Sequence, residues 1–355
     1  MIEVVSLFTG AGGLDLGLES TGYFDITARI EAEPEYCKTI AASQKAGVLR
    51  DAAIFESDFL EVDPGSVWTH PKPEIRGVIA GPPCESFSSF GLRKGHSDPR
   101  GQLLFKLIEW IDQSDADFFL IENVPSLTQG ENRPGFERLI KKFRSRGFAV
   151  DFRILNAADY GAATWRKRVI VLGLRGSNPL AFPEPTHADP NGRDFKHHRT
   201  PWVTSGDALN GLPSPAAKAP GSPSGHVLIA HTEPVTERFR ALGPGAFDPV
   251  RRRRRLAWNR PSPSLVAGNL TGTRAHIHPL EPRELTNREC ARIQGFPDSF
   301  DFSGSRCAVA KQIANAVPVA LAQQIGYAIG RQLDEASTED RKPSPSPLLR
   351  NPVAV

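Results

Sequence analysis

The chain has 355 residues, of which 39% are hydrophobic and 23% are charged, with a formal net charge of +3. This composition is ordinary for a soluble globular protein that can bury a substantial core. No apolar run approaches the roughly 20 residues that span a bilayer, and the N-terminus lacks a signal peptide, so we expect a cytoplasmic protein without a membrane segment. The four cysteines show neither metal-ligand nor disulfide spacing, so no metal is expected.

The first 174 residues alternate apolar runs with helical patterns. Residues 2–8 form an apolar run that leads into a glycine turn, and helical spacing follows the turn. A second predicted strand ends at Glu31 and precedes a helical pattern that begins with Pro34. The later predicted strands are 76–81, 117–122, 147–155 and 168–174, and the later helical patterns are 102–113 and 136–146. This alternation predicts a doubly wound α/β fold with a mostly parallel sheet.

The sequence changes character after Gly173. Residues 176–263 are rich in Pro, Gly, Ser, His and Arg and carry only scattered apolar residues. These apolar residues favour a second, smaller irregular domain over a disordered linker. Helical spacing returns near Leu285 and continues through 311–333, whereas the charged, proline-rich tail from Asp334 is predicted to be disordered.

The glycine turn, with the sequence LFTGAGG, suits a nucleotide or nucleoside ligand. Its backbone N–H groups and the N-terminus of the following helix can approach such a ligand closely. Asp15 stands where the dinucleotide fingerprint G-x-G-x-x-G requires glycine, which argues against NAD. Glu31 ends the next strand, where an acidic side chain can hold ribose hydroxyls. A nucleoside cofactor without a pyrophosphate fits these residues best.

Two later strands lead into candidate reactive side chains. The strand at 76–81 precedes AGPPCESFSS, in which prolines fix Cys84 in a loop at the sheet edge where α/β folds bind ligands. A single cysteine is usually a buried, inert thiol, but the flanking loop residues disfavour that role here. The strand at 117–122 ends in Glu122 and is followed by Asn123. Glu122 is a candidate general acid, although a helix cap or a turn explains the pair equally well.

Two arginine-rich segments are candidate anion contacts. Arg166 and Arg168 in TWRKRVIVLG alternate along a predicted strand, which places both on one face as a clamp for an anion or a base edge. A charged edge strand is the alternative. Residues 251–255 are an unbroken arginine run beside Trp258, which is either a solvated segment or a phosphate contact.

In this order, the motifs resemble those of one family, the DNA cytosine-5 methyltransferases. LFTGAGG resembles its cofactor motif, GPPCESFS its nucleophile loop, IENV its Glu-Asn-Val motif and residues 164–168 its Gln-x-Arg-x-Arg motif. LTNRECARIQGFPDSF and KQIANAVP resemble its C-terminal motifs, so the match covers 1–174 and 260–330. The resemblance implies a Rossmann-like methyltransferase sheet. The departures from the family pattern are Glu85 and Thr164, which replace glutamines, and Ala314, which replaces a glycine.

The resemblance implies transfer of a methyl group from S-adenosylmethionine to carbon 5 of a flipped-out cytosine in a specific double-stranded DNA sequence. Cys84 would add to carbon 6 of the base, and Glu122 would protonate or hydrogen-bond N3. Asn123 would fix the loop, and Arg168, with Arg166 behind it, would hold the base.

The same resemblance assigns a cofactor pocket. Phe8 would stack on the adenine, Glu31 would bind the ribose, Asp58 would bind the adenine amine and Asn315 would form part of the pocket wall. The other implied cofactor contacts are Gly10, Gly12, Gly13, Pro82 and Ala316.

The resemblance also implies a division of the chain and a set of partners. Residues 1–175 would form the catalytic and cofactor-binding domain, 176–260 the target-recognition domain, and 261–333 a segment that completes the catalytic domain before the tail at 334–355. The expected protein is a nucleoid-associated monomer that binds double-stranded DNA, and the sequence leaves a cognate restriction endonuclease open as a second partner. The implied phosphate contacts are Arg93, Lys94, Arg100, Arg252, Arg253 and Arg254.

Three alternatives remain open. A tRNA cytosine-5 methyltransferase shares these motifs but typically carries a Cys-Phe-Thr signature, and this chain has no cysteine between Cys84 and Cys290. A binding-only protein that has lost catalysis is disfavoured by the retained Cys84, Glu122 and Arg168. A nicotinamide oxidoreductase is disfavoured by Asp15 and by the Pro-Pro-Cys loop.

Overall fold

The computed structural model describes residues 1–68, 75–83, 99–192, 195, 199–215, 222–250, 253–266 and 276–340, except for the side chains of 99–102 and 336–340. Its centre is a seven-stranded sheet. The strands of this sheet are β1 (Ile2–Leu7), β2 (Phe24–Glu31), β3 (Ala53–Glu56), β4 (Arg76–Ala80), β5 (Phe118–Asn123), β6 (Phe148–Asn156) and β8 (Lys167–Arg175). The two-residue strand β7 (Thr164–Trp165) precedes β8 and lies outside this sheet.

The strands lie in the order β3-β2-β1-β4-β5-β8-β6. Neighbours from β3 to β5 pair in parallel, and β8 pairs antiparallel with both β5 and β6. The predicted mostly parallel, doubly wound sheet is confirmed. Strand β3 has no counterpart in the sequence prediction, because four residues show too little periodicity. The reversal at β8 brings the start of that strand to the edge where β1, β2, β4 and β5 end.

Helices cover both faces of the sheet. The helices are α1 (Gly13–Glu19), α2 (Pro34–Lys45), α3 (Pro99–Gln113), α4 (Arg133–Ser145), α5 (Ser205–Leu209), α6 (Glu233–Ala241), α7 (Asn287–Ile293), α8 (Arg306–Asn315) and α9 (Val319–Asp340). Alternate strand residues point to opposite faces. Val5 and Phe119 therefore pack in the core with α3 and α4, whereas Val4 and Phe118 pack in the core with α1 and α9.

The C-terminal segment packs directly on the N-terminal glycine turn. A Cβ atom on Gly17 of α1 would lie 2.3 Å from Ala322 Cβ and 2.6 Å from the Val319 carbonyl oxygen of α9. Only glycine permits this approach of the two helices. Because α1 begins at the turn and α9 follows α8, this contact fixes the region between α8 and α9 beside the carboxyl ends of β1 and β2.

The predicted helical stretch at 311–333 is two helices rather than one. Helix α8 ends at Asn315 and α9 begins at Val319, because Pro318 disfavours helical backbone at the residue before it. The prediction of a disordered tail from Asp334 is wrong for 334–340, where alanine and glutamate continue α9. Residues 341–355 lie outside the described residues. No helix in the described ranges is long and apolar enough to cross a membrane.

The described residues of 176–263 form only short helices and strands, as the lack of sustained periodicity predicts. Helices α5 and α6 lie in this region, and Phe239 of α6 packs with Ile277 in a small separate core. The strands here are β9 (His187–Ala188), β10 (Thr200–Pro201), β11 (Phe247–Asp248), β12 (Arg253–Arg254) and β13 (Ser262–Pro263). Strand β13 pairs in parallel with β7, which joins this region to the start of β8.

Candidate active site

The turn between β1 and α1 has a left-handed backbone at several positions. The φ angles are 52° at Phe8, 60° at Gly10 and 77° at Gly12. Glycine adopts this conformation freely, whereas a strained non-glycine residue such as Phe8 is typical of ligand sites. A Cβ atom on Gly13 would lie 2.6 Å from the Val317 carbonyl oxygen. Gly10 and Gly12 therefore allow the left-handed backbone of the turn, and Gly13 allows the C-terminal segment to pack closely against it.

Glu31 ends β2 beside this turn. Its Oε2 atom accepts a hydrogen bond from the Gly10 N–H at 2.7 Å, and its Oε1 atom accepts one from the Glu33 N–H at 2.9 Å. Burial raises the pKa of Glu31. The structure thus places this carboxyl group against the glycine turn. A carboxyl group that binds a nucleoside at this turn, as predicted from the sequence, would have to lie there.

Aromatic rings lie next to the same turn. The Phe8 ring packs against Phe59, with 4.9 Å between ring centroids. Asp58 precedes Phe59, has an exposed side chain, and accepts a hydrogen bond from the Leu60 N–H at 3.0 Å. An aromatic surface and two carboxyl groups are therefore available near the carboxyl ends of β1, β2 and β3, and this set of groups suits a nucleoside.

Asp15 belongs to a buried ionic cluster beneath the turn. Its Oδ2 atom pairs with Arg29 Nε at 2.9 Å, and its Oδ1 atom accepts a hydrogen bond from Ser6 Oγ at 2.8 Å. The other end of the guanidinium group pairs with Glu19, which also accepts a hydrogen bond from the Arg50 N–H. Burial raises the pKa of Asp15 and raises that of Glu19 to about 7. Two buried carboxyl groups thus share one cation.

Glu122 and Arg168 meet at the edge of the sheet. Glu122 Oε1 lies 2.6 Å from Arg168 Nε, and the side chains are 9% and 13% exposed. The antiparallel register explains this contact, because Asn123 pairs with Val169 and so brings the end of β5 beside the start of β8. The structure therefore brings together the predicted acid and the predicted base-holding cation.

Asn123 holds the chain that leads to the predicted nucleophile. Its Nδ2 atom donates to the Pro82 carbonyl oxygen at 2.8 Å, and its Oδ1 atom accepts from the Val124 N–H at 2.8 Å. Pro82 is buried just after β4. Cys84 and Glu85 lie outside the described residues. The segment that enters the Cys84 loop is therefore bonded to the same strand end that carries Glu122.

Arg166 does not lie in one continuous strand with Arg168, so that part of the prediction is wrong. Strand β7 ends at Trp165 and β8 begins at Lys167, and Arg166 between them is 2% exposed. Burial, together with the positive charge of Arg168, lowers the pKa of Arg166. Its guanidinium group donates to Ser264 Oγ at 3.2 Å and to the carbonyl oxygens of Leu265 at 3.1 Å, Ala314 at 2.6 Å and Asn315 at 3.2 Å.

Two polar residues near Asn315 were not predicted from the sequence. Burial raises the pKa of Tyr36 to about 12. Gln294 is fully buried and donates to the carbonyl oxygens of Ile313 and Ala316. Tyr36 lies in the first turn of α2, which follows Glu31, and its position near a predicted ribose ligand could have identified it. No local pattern distinguishes the role of Gln294.

The predicted DNA contacts are only partly described. Those outside the described residues are Arg93, Lys94, Arg252 and the side chain of Arg100. Arg253 forms an ion pair with Glu284, and these side chains are 16% and 6% exposed. A phosphate contact at Arg253 would therefore have to break a largely buried ion pair. Arg254 is exposed and donates to the Gly245 carbonyl oxygen at 2.8 Å.

Comparisons with known proteins find relatives that match almost the whole chain. A family model described as C-5 cytosine-specific DNA methylase matches residues 2–331. Type II methyltransferase M.XorII of Xanthomonas oryzae pv. oryzae is 33% identical over 93% of this chain and 84% of its own length. Type II methyltransferase M.NgoPII of Neisseria gonorrhoeae is 33% identical over 94% of this chain and 96% of its own length.

Solved structures share the fold. A protein described as a DNA modification methyltransferase encoded within an E. coli prophage has a TM-score of 0.76 and 26% sequence identity, covering 94% of this chain and 100% of its own. The S. pombe Dnmt2 methyltransferase has a TM-score of 0.65 and 17% sequence identity, covering 95% of this chain and 99% of its own. At 17% identity, the similarity to the S. pombe protein shows only that the two proteins share a fold.

Proposed function

Because the chain belongs to the C-5 cytosine-specific DNA methylase family, we propose that it methylates carbon 5 of a flipped-out cytosine in a specific double-stranded DNA sequence, with S-adenosylmethionine as the donor. Cytosine-5 DNA methylation itself follows from the family and from the Type II methyltransferase relatives. What we propose beyond this activity is that S-adenosylmethionine is the methyl donor, that the target base is flipped out, and that the reaction passes through a covalent adduct. The main support for the proposal is the Glu122–Arg168 ion pair beside the Asn123–Pro82 hydrogen bond, because these contacts bring an acid and a cation close to the segment that precedes Cys84.

The residues around the glycine turn fit S-adenosylmethionine. The Phe8 ring offers a face for the adenine, and the exposed Asp58 carboxylate accepts from an adenine amine. Glu31 lies at the strand end where it accepts from ribose hydroxyls. Gly10, Gly12 and Gly13, with Pro82, Asn315 and Ala316, complete the proposed pocket. When bound, S-adenosylmethionine supplies a methyl group on a positively charged sulfur atom.

The proposed chemistry uses three side chains of this chain. The Cys84 thiolate adds to carbon 6 of cytosine, and the electron pair of the carbon 5–carbon 6 double bond becomes available at carbon 5. Glu122 protonates or hydrogen-bonds N3 and so offsets the developing negative charge. Arg168 holds Glu122 and the base oxygen. Once carbon 5 is methylated, its proton passes to water, the carbon 5–carbon 6 double bond re-forms, and Cys84 leaves as the thiolate.

The target cytosine must leave the duplex before Cys84 can reach carbon 6. Base flipping costs a few kcal/mol, which contacts with the protein offset. We assign recognition of the DNA sequence to 176–260 and phosphate contacts to the predicted arginines and lysine, with Arg254 the exposed member of the basic run in the described ranges. Completion of the catalytic domain by 261–333 is supported by the packing of α9 on α1.

The relatives suggest the biological setting. Both curated relatives carry the name Type II methyltransferase, and DNA methylation of the restriction-modification type is shared with them. We therefore propose that a cognate restriction endonuclease protects the same cell from foreign DNA at the sequence that this enzyme methylates. A monomer acting on the nucleoid in the cytoplasm is the form that we propose.

Methyl transfer to defined nucleic acids tests the proposal. We expect the purified chain to transfer tritium from labelled S-adenosylmethionine to unmethylated plasmid DNA and not to tRNA. Bisulfite sequencing of the product should locate modified cytosines within one short sequence. Transfer to tRNA alone would instead support the alternative tRNA methyltransferase. Failure to label either nucleic acid would reject the proposed activity.

The covalent route has its own test. Cys84→Ala should reduce transfer to less than about a thousandth of the wild-type rate, as loss of a nucleophile does in other enzymes. Cys307→Ala is the matched control, because Cys307 is an exposed free cysteine and its loss should leave the rate unchanged. Duplexes with 5-fluorocytosine should trap the wild-type chain as an adduct. Equal trapping of the Cys84→Ala variant would reject Cys84 as the nucleophile.

A further inference from the structure

The carbonyl groups at the end of α8 are held by side chains from elsewhere in the chain. The last four carbonyl groups of a helix have no partner within the helix. At this terminus, Gln294 donates to the carbonyl oxygens of Ile313 and Ala316, at 2.8 and 3.2 Å. Arg166 donates to those of Ala314 and Asn315, at 2.6 and 3.2 Å. The backbone of 313–316 is therefore fixed by two buried side chains.

Arg166 is also suited to this place electrostatically. A helix C-terminus carries partial negative charge, which a nearby cation stabilises. The Arg166 guanidinium group lies at the end of α8 and is almost fully buried. Its Nη1 atom additionally donates to Ser264 Oγ and to the Leu265 carbonyl oxygen, which follow β13. One planar group thus joins the start of β8, the segment after β13 and the end of α8.

We propose that Arg166 and Gln294 are positioning residues that hold the backbone of the Asn315 wall of the cofactor pocket, and that Arg166 does not touch the target base. The inference rests on the proposed function, because it takes S-adenosylmethionine as the ligand of this pocket. Lysine at position 166 would keep the charge, but its single ammonium group cannot bond four oxygens arranged around a planar fork. Loss of the fork should therefore weaken cofactor binding more than it slows the reaction at the base.

Calorimetric titration of the full chain with S-adenosylhomocysteine measures this effect without catalysis. We expect Arg166→Lys to raise Kd about tenfold, which is the size of effect that one or two lost hydrogen bonds produce. In the methylation assay, the KM for S-adenosylmethionine should rise about as much, while kcat stays within about threefold. Arg168→Lys should show the opposite pattern, with kcat reduced about a hundredfold and Kd within about twofold.

Arg288→Lys is the matched control for lost buried hydrogen bonds. Arg288 is also fully buried, and its guanidinium group donates to the carbonyl oxygens of Ser224, Pro297 and Phe300. We expect both lysine variants to lower the melting temperature, but only Arg166→Lys to weaken cofactor binding. Wild-type affinity in Arg166→Lys, or equal weakening in Arg288→Lys, would overturn the proposal.

Gln294→Met keeps the test decisive if Arg166→Lys does not fold, as judged by circular dichroism. It removes the two hydrogen bonds to the Ile313 and Ala316 carbonyl oxygens and should raise the Kd for S-adenosylhomocysteine about threefold to tenfold. An unchanged Kd in Gln294→Met would overturn the proposal. A wild-type chain that does not bind S-adenosylhomocysteine would instead reject the proposed cofactor, so the two failures are distinct.

Discussion

Replacing Glu19 with glutamine should change how the stability of the protein depends on pH. Glu19 and Asp15 share the buried cation of Arg29, and burial raises the pKa of Glu19 from 4.5 to about 7. At 1.36 kcal/mol per pKa unit, this difference corresponds to about 3 kcal/mol of unfolding free energy. Glutamine resembles the neutral acid in shape and cannot ionise, so Glu19→Gln should remove this pH-dependent contribution.

The sign of the effect follows from proton binding. The folded state holds the Glu19 proton more tightly than the unfolded chain, so this contribution is fully present below pH 4.5 and is lost as pH rises to about 7. The raised pKa of Asp15 acts in the same direction. Burial lowers the pKa of His276 and of His278, which acts in the opposite direction. The difference between variant and wild type isolates Glu19 from these other groups.

Urea unfolding between pH 5 and pH 8 measures this difference. We expect the stability of Glu19→Gln relative to wild type to increase by about 2.5 kcal/mol over this range, because part of the contribution is already lost at pH 5. Glu137→Gln is the control, because Glu137 forms an exposed ion pair with Arg133 and such pairs contribute about 0–1 kcal/mol. A relative stability of Glu19→Gln that stays constant with pH would show that Glu19 ionises like an exposed carboxyl group, and the reasoning would be wrong.

Three further outcomes are expected. Gly17→Ala should destabilise the fold by about 1–3 kcal/mol in thermal unfolding. Gly65→Ala is the control and should not, because its added Cβ would come no nearer than 3.5 Å to Asp63. Equal melting temperatures of the two variants would contradict the tight packing of α1 on α9. Asn123→Ala should lower kcat about tenfold or more with unchanged cofactor affinity, since it frees the segment before the nucleophile; an unchanged kcat would reject that role. Arg253→Ala should mainly destabilise the protein, whereas Arg254→Ala should mainly reduce the salt dependence of DNA binding. The reverse result would reject the structural role of the Arg253–Glu284 pair.

Much of the sheet and part of the candidate site could be predicted from local sequence. Apolar runs of strand length and helical spacing are properties of neighbouring residues, so β1, β2, β4, β5, β6 and β8 were all predicted near their observed bounds. The glycine turn was also predictable, because positive φ angles and close approach both select glycine. Parallel strands end at one edge of a sheet, and this rule alone placed Glu31 and Glu122 at the same edge.

The contacts between distant segments required the tertiary structure. Periodicity shows which side chains are buried but not which partner each one meets, so the bonds of Arg166 to 314 and 315 and the pairing of Arg253 with Glu284 could not be read locally. The break before α9 was missed because apolar spacing continues across Pro318. The sequence by itself therefore determined six of the seven strands of the sheet, the glycine turn and the chemical types at the site. Only the folded chain decided that Arg166 bonds backbone carbonyls, because packing of the C-terminal segment brings those carbonyls to it.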